Sequence, residues 1–262
     1  MSASGQPLDG RIALVTGGGR GIGRAISEQL AAAGAAVAVN YRRDAEAAAE
    51  TVAAVESGGG VARAYAASVD DADAMAVMVE AIAADLGPVD LLVCNAGIAS
   101  RGHAVADTDP AELQRVVDTH AIGAHHAARL VLPGIRRAER GDIIMISSVA
   151  TTGLSANGAP YSMGKAAMEA LAYTLAKEEM PNGIHVNIVA PGLVETDMGV
   201  RLARAITGRR EMDDLRSLDA DYPYGRVCQP DDVAEVVVSL CTMGYVNGQR
   251  IAVDGGHGPS RR

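Results

Sequence analysis

The chain has 262 residues, of which 48% are hydrophobic, and a formal net charge of −9. That length allows one large α/β domain, and the negative charge argues against nucleic acid or an anionic membrane as the main partner. No apolar run approaches the roughly 18 residues of a membrane span, and the segment "MSASGQPLDG" lacks the apolar core of a signal peptide. The cysteines, three and widely spaced, fit free thiols in a reducing compartment, so we expect a cytoplasmic protein.

Short apolar segments alternate along the chain with longer helical patterns. The predicted strands are 11–16, 35–40, 61–66, 89–94, 142–147, 184–190 and 250–254. These segments are apolar nearly throughout, as strands buried on both faces are. The predicted helices are 22–33, 44–57, 71–86, 110–137, 160–180 and 231–243. This alternation predicts an α/β fold, a doubly wound (Rossmann-type) parallel sheet of about seven strands with helices on both faces.

We expect residues 1–262 to form a single domain. Residues 1–10 and 257–262 are interpreted as tails, because neither continues the strand and helix pattern. The longest stretch without a clear pattern, 192–229, is rich in charged and turn residues. Since stretches of this length in compact domains are commonly functional, we interpret it as a substrate loop.

A glycine-rich turn, "TGGGRGIGRA", joins the first predicted strand to the first predicted helix. Gly17, Gly21 and Gly23 in such a turn allow a pyrophosphate to approach the free N–H groups at the start of the helix. The spacing is G-x-x-x-G-x-G, and a tight turn without a ligand is the alternative interpretation. We expect a dinucleotide to bind here.

The end of the second predicted strand bears on which dinucleotide binds. It reads "VNYRRD", without a carboxylate before Asp44, which we expect to cap the next helix. A carboxylate at the strand end would bind the ribose 2′-hydroxyl of NAD. Arg20 and Arg42 are instead suited to a 2′-phosphate, because a guanidinium matches phosphate geometry. NADP(H) is therefore favoured over NAD(H), with solvated loop charges at Arg42 and Arg43 as the alternative.

Several motifs occur together and in a fixed order. They are "TGGGRGIG", "CNAG" (94–97), Ser148, "YSMGK" (161–165), and "PG" (191–192) followed by Thr196. Over about residues 11–256 the chain resembles the classical short-chain dehydrogenases/reductases. Its finer motifs are similar to those of 3-oxoacyl-acyl-carrier-protein reductases and their relatives that act on other ketones. The resemblance implies a homotetramer or dimer, with the helices at 110–137 and 160–180 in one interface.

The resemblance also implies a reaction, the NADPH-dependent reduction of a ketone such as a 3-oxoacyl thioester to a secondary alcohol. Tyr161 donates a proton to the carbonyl oxygen as the nicotinamide supplies hydride to the carbon, and Ser148 hydrogen-bonds that oxygen. Lys165, one helical turn after Tyr161, is placed to favour the phenolate and to bond the nicotinamide ribose. The expected cofactor-binding residues are Gly17, Arg20, Gly21, Ile22, Gly23, Arg42, Ser68, Val69, Asn95, Ala96, Gly97, Tyr161, Lys165, Pro191, Gly192 and Thr196.

Three features depart from the family pattern. His120 stands where the family usually has a catalytic Asn, which holds a helix distortion and a proton-relaying water. An imidazole also donates and accepts hydrogen bonds and titrates near neutrality, so His120 is the fourth catalytic candidate. Ser68 stands where an Asp often bonds adenine, and "LCTMGYVNGQ" (240–249) is shortened before the last strand. No metal site is expected, because His120, His125 and His126 do not place a matched pair one turn apart.

Other functions compete with this one. A substrate held on an acyl carrier protein requires basic docking residues, but Asn182 stands where we expect one. A separate basic patch is formed by Arg129, Arg136, Arg137 and Arg140, which a solvated helix face explains equally well. The alternative is an enzyme of a free small ketone, sugar or sterol-like alcohol. A non-catalytic dinucleotide-binding regulator is the alternative of another class, against which the retention of Ser148, Tyr161 and Lys165 argues.

Overall fold

The computed structural model describes residues 5–207 and 211–257, except for the side chains of 205–207. Its strands are β1 Ile12–Val15, β2 Ala36–Tyr41, β3 Val61–Ala66, β4 Leu91–Cys94, β5 Gly141–Ile146, β6 Ile184–Pro191 and β7 Arg250–Val253. They form one parallel sheet in the order β3-β2-β1-β4-β5-β6-β7. The chain changes direction across the sheet between β1 and β4, where doubly wound folds bind ligands at the carboxyl ends of the strands.

Helices connect successive strands. They are α1 Gly21–Ala32, α2 Ala45–Ser57, α3 Ala72–Asp85, α4 Pro110–Val117, α5 Gly123–Ile135, α6 Ala150–Gly153, α7 Ala159–Glu178, α8 Asp197–Thr207 and α9 Pro230–Leu240. Local sequence explains several of their starts: Asp44 caps α2 by accepting from Ala47 N–H at 3.1 Å, and Pro110 begins α4. The predicted capping role of Asp44 is confirmed. Within the described residues, none of these helices is long and apolar enough to cross a membrane.

The sheet is buried on both faces, as the apolar strands predict. On one face α1, α2 and α9 form a core that includes Ile26 and Val237. On the other face α3, α5 and α7 form a second core that includes Met75 and Met168. The predicted single domain with a doubly wound parallel sheet is confirmed. A smaller cluster around Leu215 and Val227 lies outside these layers, in the segment that follows β6.

Three segments differ from the prediction. The single helix expected at 110–137 is interrupted by a π-helical turn, Asp118–Ile122, between α4 and α5. The patternless stretch at 192–229 contains α8 and two 3₁₀ turns, Arg216–Asp221 and Pro223–Gly225. In the expected tail at 1–10, Leu8 is 1% exposed and its N–H donates to Ala33 O at 2.9 Å. Residues 1–4 and 258–262 of the expected tails lie outside the described residues.

Candidate active site

The glycine turn after β1 has a backbone that side chains could not occupy. Gly17 has φ +62° and Gly21 has φ +53°, both in the left-handed region. A Cβ at Gly23 would overlap the carbonyl oxygen of Gly17. Arg20 occupies the position before α1 and makes no side-chain cap, so the first N–H groups of that helix remain available to an anion. The turn therefore fits the pyrophosphate of a dinucleotide.

The loop after β4 lies beside the glycine turn and forms hydrogen bonds with the chain that leads into it. Asn95 donates through Nδ2 to the carbonyl oxygens of Thr16 and Gly17, each at 3.0 Å. The hydroxyl of Thr16 accepts from the backbone N–H groups of Asn95 at 3.0 Å and Ala96 at 3.1 Å. Asn95 was predicted to line the cofactor groove, and its amide protons are used within the protein. Its position indicates that it fixes the shape of the groove.

The opposite side of the groove comes from the segment after β6. Pro191 ends β6, and Gly192 N–H donates to Val253 O at 3.0 Å. Thr196 reaches across to the glycine turn, because a Cβ at Gly21 would lie 3.1 Å from Thr196 Cγ2. The structure thus places Thr196, which follows β6, next to the glycine turn that follows β1.

The far end of the groove carries exposed basic residues. Arg20 and Arg42 are both exposed, and the structure shows no ion pair for either within the described residues. The β2 strand ends without a carboxylate, and the buried Asn40 there accepts from Gly17 N–H at 3.2 Å. Asn40 also donates to Ala67 O at 3.0 Å, which ties the glycine turn to the chain after β3.

Sequence reasoning missed a carboxylate near the predicted adenine contact. Ser68 gives its hydroxyl proton to Asp70 in a short hydrogen bond. A ligand at this place therefore meets acceptor oxygens of both residues. The next predicted residue, Val69, packs against α5, since a Cβ at Gly123 would lie 2.7 Å from Val69 Cγ2. The signal that could have revealed Asp70 is its place two residues after Ser68, in the same turn.

Tyr161 and Lys165 lie one turn apart on α7, and Ser148 faces them from the end of β5. The Ser148 hydroxyl oxygen accepts from Ala150 N–H at 3.2 Å. Desolvation raises the pKa of Tyr161, and a hydrogen bond with Ser148 opposes that shift. Lys165 is 3% exposed and donates to Ile146 O at 2.7 Å. Burial lowers the pKa of Lys165 to about 7, although the nearby thiol of Cys94 and carboxylate of Glu169 act in the other direction.

The surroundings of Tyr161 bear on its expected role as a proton donor. Lys165 was predicted to favour the phenolate, but its ammonium points to a main-chain carbonyl and lies 6.0 Å from the Tyr161 ring centroid. Desolvation raises the pKa of the phenol, a direction that favours its protonated form. A protonated phenol is suited to donate a proton to a ligand oxygen.

His120 lies within the π-helical turn and is fully buried. Its Nε2 is 2.8 Å from Ile98 O and 3.3 Å from Ile98 N, so we assign the ring proton to Nε2, as a donor in the shorter contact. Nδ1 then carries a lone pair and has no partner among the described residues. The ring packs edge-on against Tyr161, with centroids 5.2 Å apart and planes at 82°.

The predicted titration of His120 near neutrality is wrong for this site. Burial lowers the pKa of His120 to about 3, and the neighbouring Lys165 cation acts in the same direction. The ring is therefore neutral at physiological pH. Two glycines make room for it: a Cβ at Gly97 would lie 2.7 Å from His120 Cε1, and one at Gly164 would lie 3.1 Å from His120 Cβ.

A cavity of about 350 Å³ lies between Val149, which follows Ser148, and the ends of β6 and β7, and it is lined in part by the stretch 192–229. Its walls include Val149, Leu193, Tyr222, Cys228 and His257. The rings of Tyr222 and His257 pack with their centroids 4.7 Å apart. Among the catalytic candidates, the cavity comes near Ser148 only, through the neighbouring residue Val149.

Comparison with known proteins decides the family. Residues 17–257 match the family described as enoyl-(acyl carrier protein) reductase. The versicolorin reductase stcU of Emericella nidulans is 38% identical, over 95% of this chain and 96% of its own. The 3-oxoacyl-(acyl-carrier-protein) reductase FabG of Vibrio harveyi is 33% identical over 95% and 98%. A short-chain dehydrogenase from Burkholderia cenocepacia, solved in complex with NADP, has a TM-score of 0.84 at 34% identity, covering 95% and 98%.

The chain belongs to the short-chain dehydrogenase/reductase family. It is accordingly an NAD(P)-dependent oxidoreductase, which confirms the enzyme class expected from the ordered motifs. One expected departure of this short-chain dehydrogenase/reductase from the family pattern is the segment at 240–249. Asn247 ties this segment to the rest of the chain through hydrogen bonds. That side chain accepts from Val186 N–H at 2.8 Å and donates to Ala176 O at 2.9 Å.

Within the described residues, no group of three or more His, Cys, Asp or Glu side chains is arranged to hold a metal ion.

Sequence reasoning also missed Glu169 and Arg250, which contact the chain around Ser148. Glu169 lies two turns after Tyr161, on the helical face that also carries Lys165. A carboxylate at that spacing, on a face that is otherwise buried, is the signal that could have found it.

Proposed function

We propose that this protein reduces a ketone to a secondary alcohol with NADPH, and that Tyr161 is the general acid. The observation that carries the proposal is the convergence of three side chains: Tyr161 is hydrogen-bonded to Ser148, and Lys165 lies one turn after Tyr161 on α7. The bound cofactor supplies the hydride. The chain supplies the proton, the orientation of the carbonyl group and the charges that hold the cofactor.

The roles of the two hydroxyl groups follow from their hydrogen bonds. The Ser148 oxygen already accepts from Ala150 N–H, which leaves its own proton to donate to a substrate oxygen. The phenol of Tyr161 donates the second hydrogen bond and transfers its proton as the oxygen becomes an alkoxide. A carbonyl oxygen held by both donors is polarised in the direction in which it reacts.

Reprotonation of Tyr161 requires a path for protons, and we assign part of it to Lys165 and His120. Both side chains border the same space beside Gly97: a Cβ there would lie 3.2 Å from His120 Nδ1 and 3.6 Å from Lys165 Nζ. The unpartnered lone pair of Nδ1 is suited to hold a water molecule in that space. A neutral His120 in this role positions the water as an acceptor and does not itself donate a proton.

The preference for NADPH rests on the basic end of the groove. Arg20 and Arg42 are exposed, and their guanidinium groups have no ion pair within the described residues. No carboxylate stands at the end of β2 to accept from a ribose 2′-hydroxyl, because Asp44 caps α2. A charge-assisted contact of this kind contributes about 1.5–3 kcal/mol, so we expect at least a tenfold preference for NADPH in kcat/KM.

The substrate is a 3-oxoacyl thioester or a related carbonyl compound. Carrier docking has less support than the sequence suggested, because two of the four arginines are engaged: Arg136 binds Glu179, with Nε and Oε2 2.9 Å apart, and Arg140 binds Asp142, with Nε and Oδ2 2.9 Å apart. Arg129 and Arg137 have no ion pair in the described part of the chain. This observation favours the second candidate, a reductase of a free small ketone.

The experiment is an assay of NADPH oxidation against a panel of ketones. The panel contains an acetoacetyl thioester on coenzyme A, the same group on an acyl carrier protein, and free aliphatic and aromatic ketones. Reduction of at least one of them, with a lower rate for NADH, is the expected result. A protein that binds NADPH yet oxidises it with no ketone is a non-catalytic binding protein, and equal kcat/KM for the two cofactors contradicts the assignment of Arg20 and Arg42.

A further inference from the structure

A buried ion pair lies directly behind Ser148. Glu169, on α7, is 5% exposed, and Arg250 is the first residue of β7. Arg250 Nε donates to Glu169 Oε1 at 2.9 Å, although the two residues are 81 apart in the chain. The pair joins the helix that carries Tyr161 to the last strand of the sheet.

Both members of the pair hold the segment that contains Ser148. Arg250 Nη2 donates to the carbonyl oxygen of Ser148 at 3.0 Å and to Thr151 Oγ1 at 3.1 Å. Glu169 Oε1 accepts from Ser147 Oγ at 2.7 Å and from Thr151 Oγ1 at 2.8 Å. One carboxylate oxygen therefore binds side chains on both sides of Ser148.

Within the segment, Thr151 contacts the Ser148 carbonyl through its N–H at 3.3 Å and its Oγ1 at 3.0 Å, and Ser162 Oγ on α7 donates to Ala150 O at 3.5 Å. Two further bonds go to β6. Ser147 N–H donates to Val189 O at 2.7 Å, and Val149 N–H donates to Pro191 O at 3.0 Å. These two bonds continue the ladder between β5 and β6, but neither reaches the peptide carbonyl of Ser148. The ion pair is therefore the connection that fixes this carbonyl relative to β7 and α7.

The position of Glu169 relates this connection to the candidate acid. Tyr161, Lys165 and Glu169 follow one another at intervals of four residues, so they share one face of α7. The same helix thus sets the phenol of Tyr161 directly and the hydroxyl of Ser148 through Glu169. Because Ser148 Oγ accepts from Ala150 N–H within the same segment, a displaced backbone would also turn this hydroxyl.

We propose that Glu169 and Arg250 are positioning residues that fix the Ser148 hydroxyl relative to the Tyr161 hydroxyl. The catalytic consequence rests on the proposed function, since it concerns a carbonyl oxygen held between the two hydroxyl groups. The structural consequence, an ordered segment around Ser148, is independent of it. The two consequences are therefore measured separately.

The test compares Arg250→Lys with Arg11→Lys. A lysine retains the positive charge but donates from a single nitrogen, so it loses the forked geometry in which Nε bonds Glu169 while Nη2 bonds the Ser148 carbonyl. Arg11 is a matched control because its side chain is 14% exposed, against 15% for Arg250, and it binds Asp90 Oδ1 at 2.6 Å and Asp90 O at 3.1 Å. It lies at the start of β1, away from the carboxyl ends of the strands where Ser148 lies.

The first readout, hydrogen–deuterium exchange of the peptide covering 147–153, does not require activity. Arg250→Lys is expected to raise its exchange rate about tenfold, and Arg11→Lys to leave it unchanged. The second readout is steady-state kinetics with a ketone from the panel. Arg250→Lys is expected to lower kcat about tenfold or more with the KM for NADPH within about twofold, since misplacement of a reacting group costs rate.

Glu169→Gln is the second variant if Arg250→Lys does not fold. It keeps an acceptor for Ser147 and Thr151 but removes the charge that holds Arg250, and the same changes in exchange and kcat are expected. Wild-type exchange and kcat in a folded variant would overturn the proposal, as would equal effects in Arg11→Lys. A wild-type protein that reduces no ketone refutes the proposed function, while the exchange measurement still decides whether the pair orders Ser148.

Discussion

The charge state of His120 decides what its imidazole can do in the candidate site. Burial lowers the pKa of His120 to about 3, so at neutral pH the ring offers Nδ1 as an acceptor and Nε2–H as a donor to Ile98 O. An Asn side chain also offers one acceptor and a donor. The geometry therefore lets the imidazole replace an amide without a new charge in the site.

His120→Asn is expected to keep kcat within roughly tenfold of wild type, the lower edge of an acid–base contribution. His120→Ala is expected to cost more, because it leaves neither a bonding group nor the volume. The pH–rate profiles of wild type and His120→Asn should contain the same ionisations between about pH 6 and 7.5. Any ionisation there belongs to Lys165, whose pKa burial lowers to about 7.

Rate measurements on these three proteins with one accepted ketone check the relay. An alanine variant as active as wild type would show that His120 only packs within the helix and takes no part in the proton relay. An ionisation that is present in wild type and lost in His120→Asn would show that the imidazole titrates, contrary to its burial.

Stability should respond to the same burial. The pKa of His120 falls from 6.5 in the unfolded chain to about 3 in the folded protein, so between these values the unfolded chain binds more protons. The free energy of unfolding therefore decreases as pH falls, by about 2 kcal/mol from pH 7 to pH 5 for this group alone. Urea unfolding at the two pH values measures this loss, which His120→Asn should lack.

His103→Asn is the control for this comparison, because His103 is exposed and its replacement should leave the wild-type pH dependence in place. If wild type, His120→Asn and His103→Asn lose the same free energy of unfolding between the two pH values, the imidazole is not buried as described.

At the scale of elements, the loop after β4 packs against the π-helical turn between α4 and α5, with the His120 ring at the contact. Gly97→Ala would place a Cβ 2.7 Å from His120 Cε1 and 3.2 Å from His120 Nδ1. Overpacking of this kind costs about 1–3 kcal/mol. In a His120→Ala background those ring atoms are absent, so the same substitution should cost close to nothing.

A double-mutant cycle by urea unfolding measures this coupling between Gly97 and His120. The control is Gly59→Ala, where no atom lies within 4 Å of the added Cβ, so its cost, which includes strain at φ +81°, should be the same in both backgrounds. An equal cost of Gly97→Ala with and without the imidazole would mean that the two elements do not depend on each other.

Local sequence patterns predicted most of these elements because their evidence is local. The strand predicted at 35–40 is β2, Ala36–Tyr41, since a short apolar run marks a strand buried on both faces. The apolar pattern does not show the π-helical turn, because it continues through 110–137 without a break, and only the family resemblance implied a helix distortion at His120. The α8 helix was missed because 192–229 is rich in charged and turn residues, which hide a single helical face.

The residues of the candidate site also divide into those that the sequence could predict and those that it could not. Gly17, Ser148, Tyr161 and Lys165 could be named from the family resemblance, since each stands in one of its ordered motifs. Arg250 could not, because its contact with Ser148 joins residues 102 apart in the chain. The pKa directions of Tyr161 and His120 also depend on burial, which only the folded chain defines.

At the scale of the whole molecule, we propose a homotetramer with α4, α5 and α7 in one interface. The support is exposed apolar surface on this part of the chain: Ile122 is 43% exposed and Met163 is 52% exposed. Light scattering at micromolar concentration should give the mass of four chains. Met163→Glu should lower that mass, whereas Val77→Glu, at a 69% exposed position on α3, should not. A monomer in wild type would contradict the proposal.

We propose that the fold holds the Tyr161 phenol and the Ser148 hydroxyl beside a dinucleotide site at the carboxyl ends of the strands. The most direct test is kcat/KM of Tyr161→Phe with the best ketone of the panel, together with the Kd for NADPH. The expected result is a fall in kcat/KM of at least about 100-fold with a Kd within about threefold, because only the proton donor is lost. A variant that retains kcat/KM within tenfold of wild type would contradict the assignment of Tyr161 as the acid.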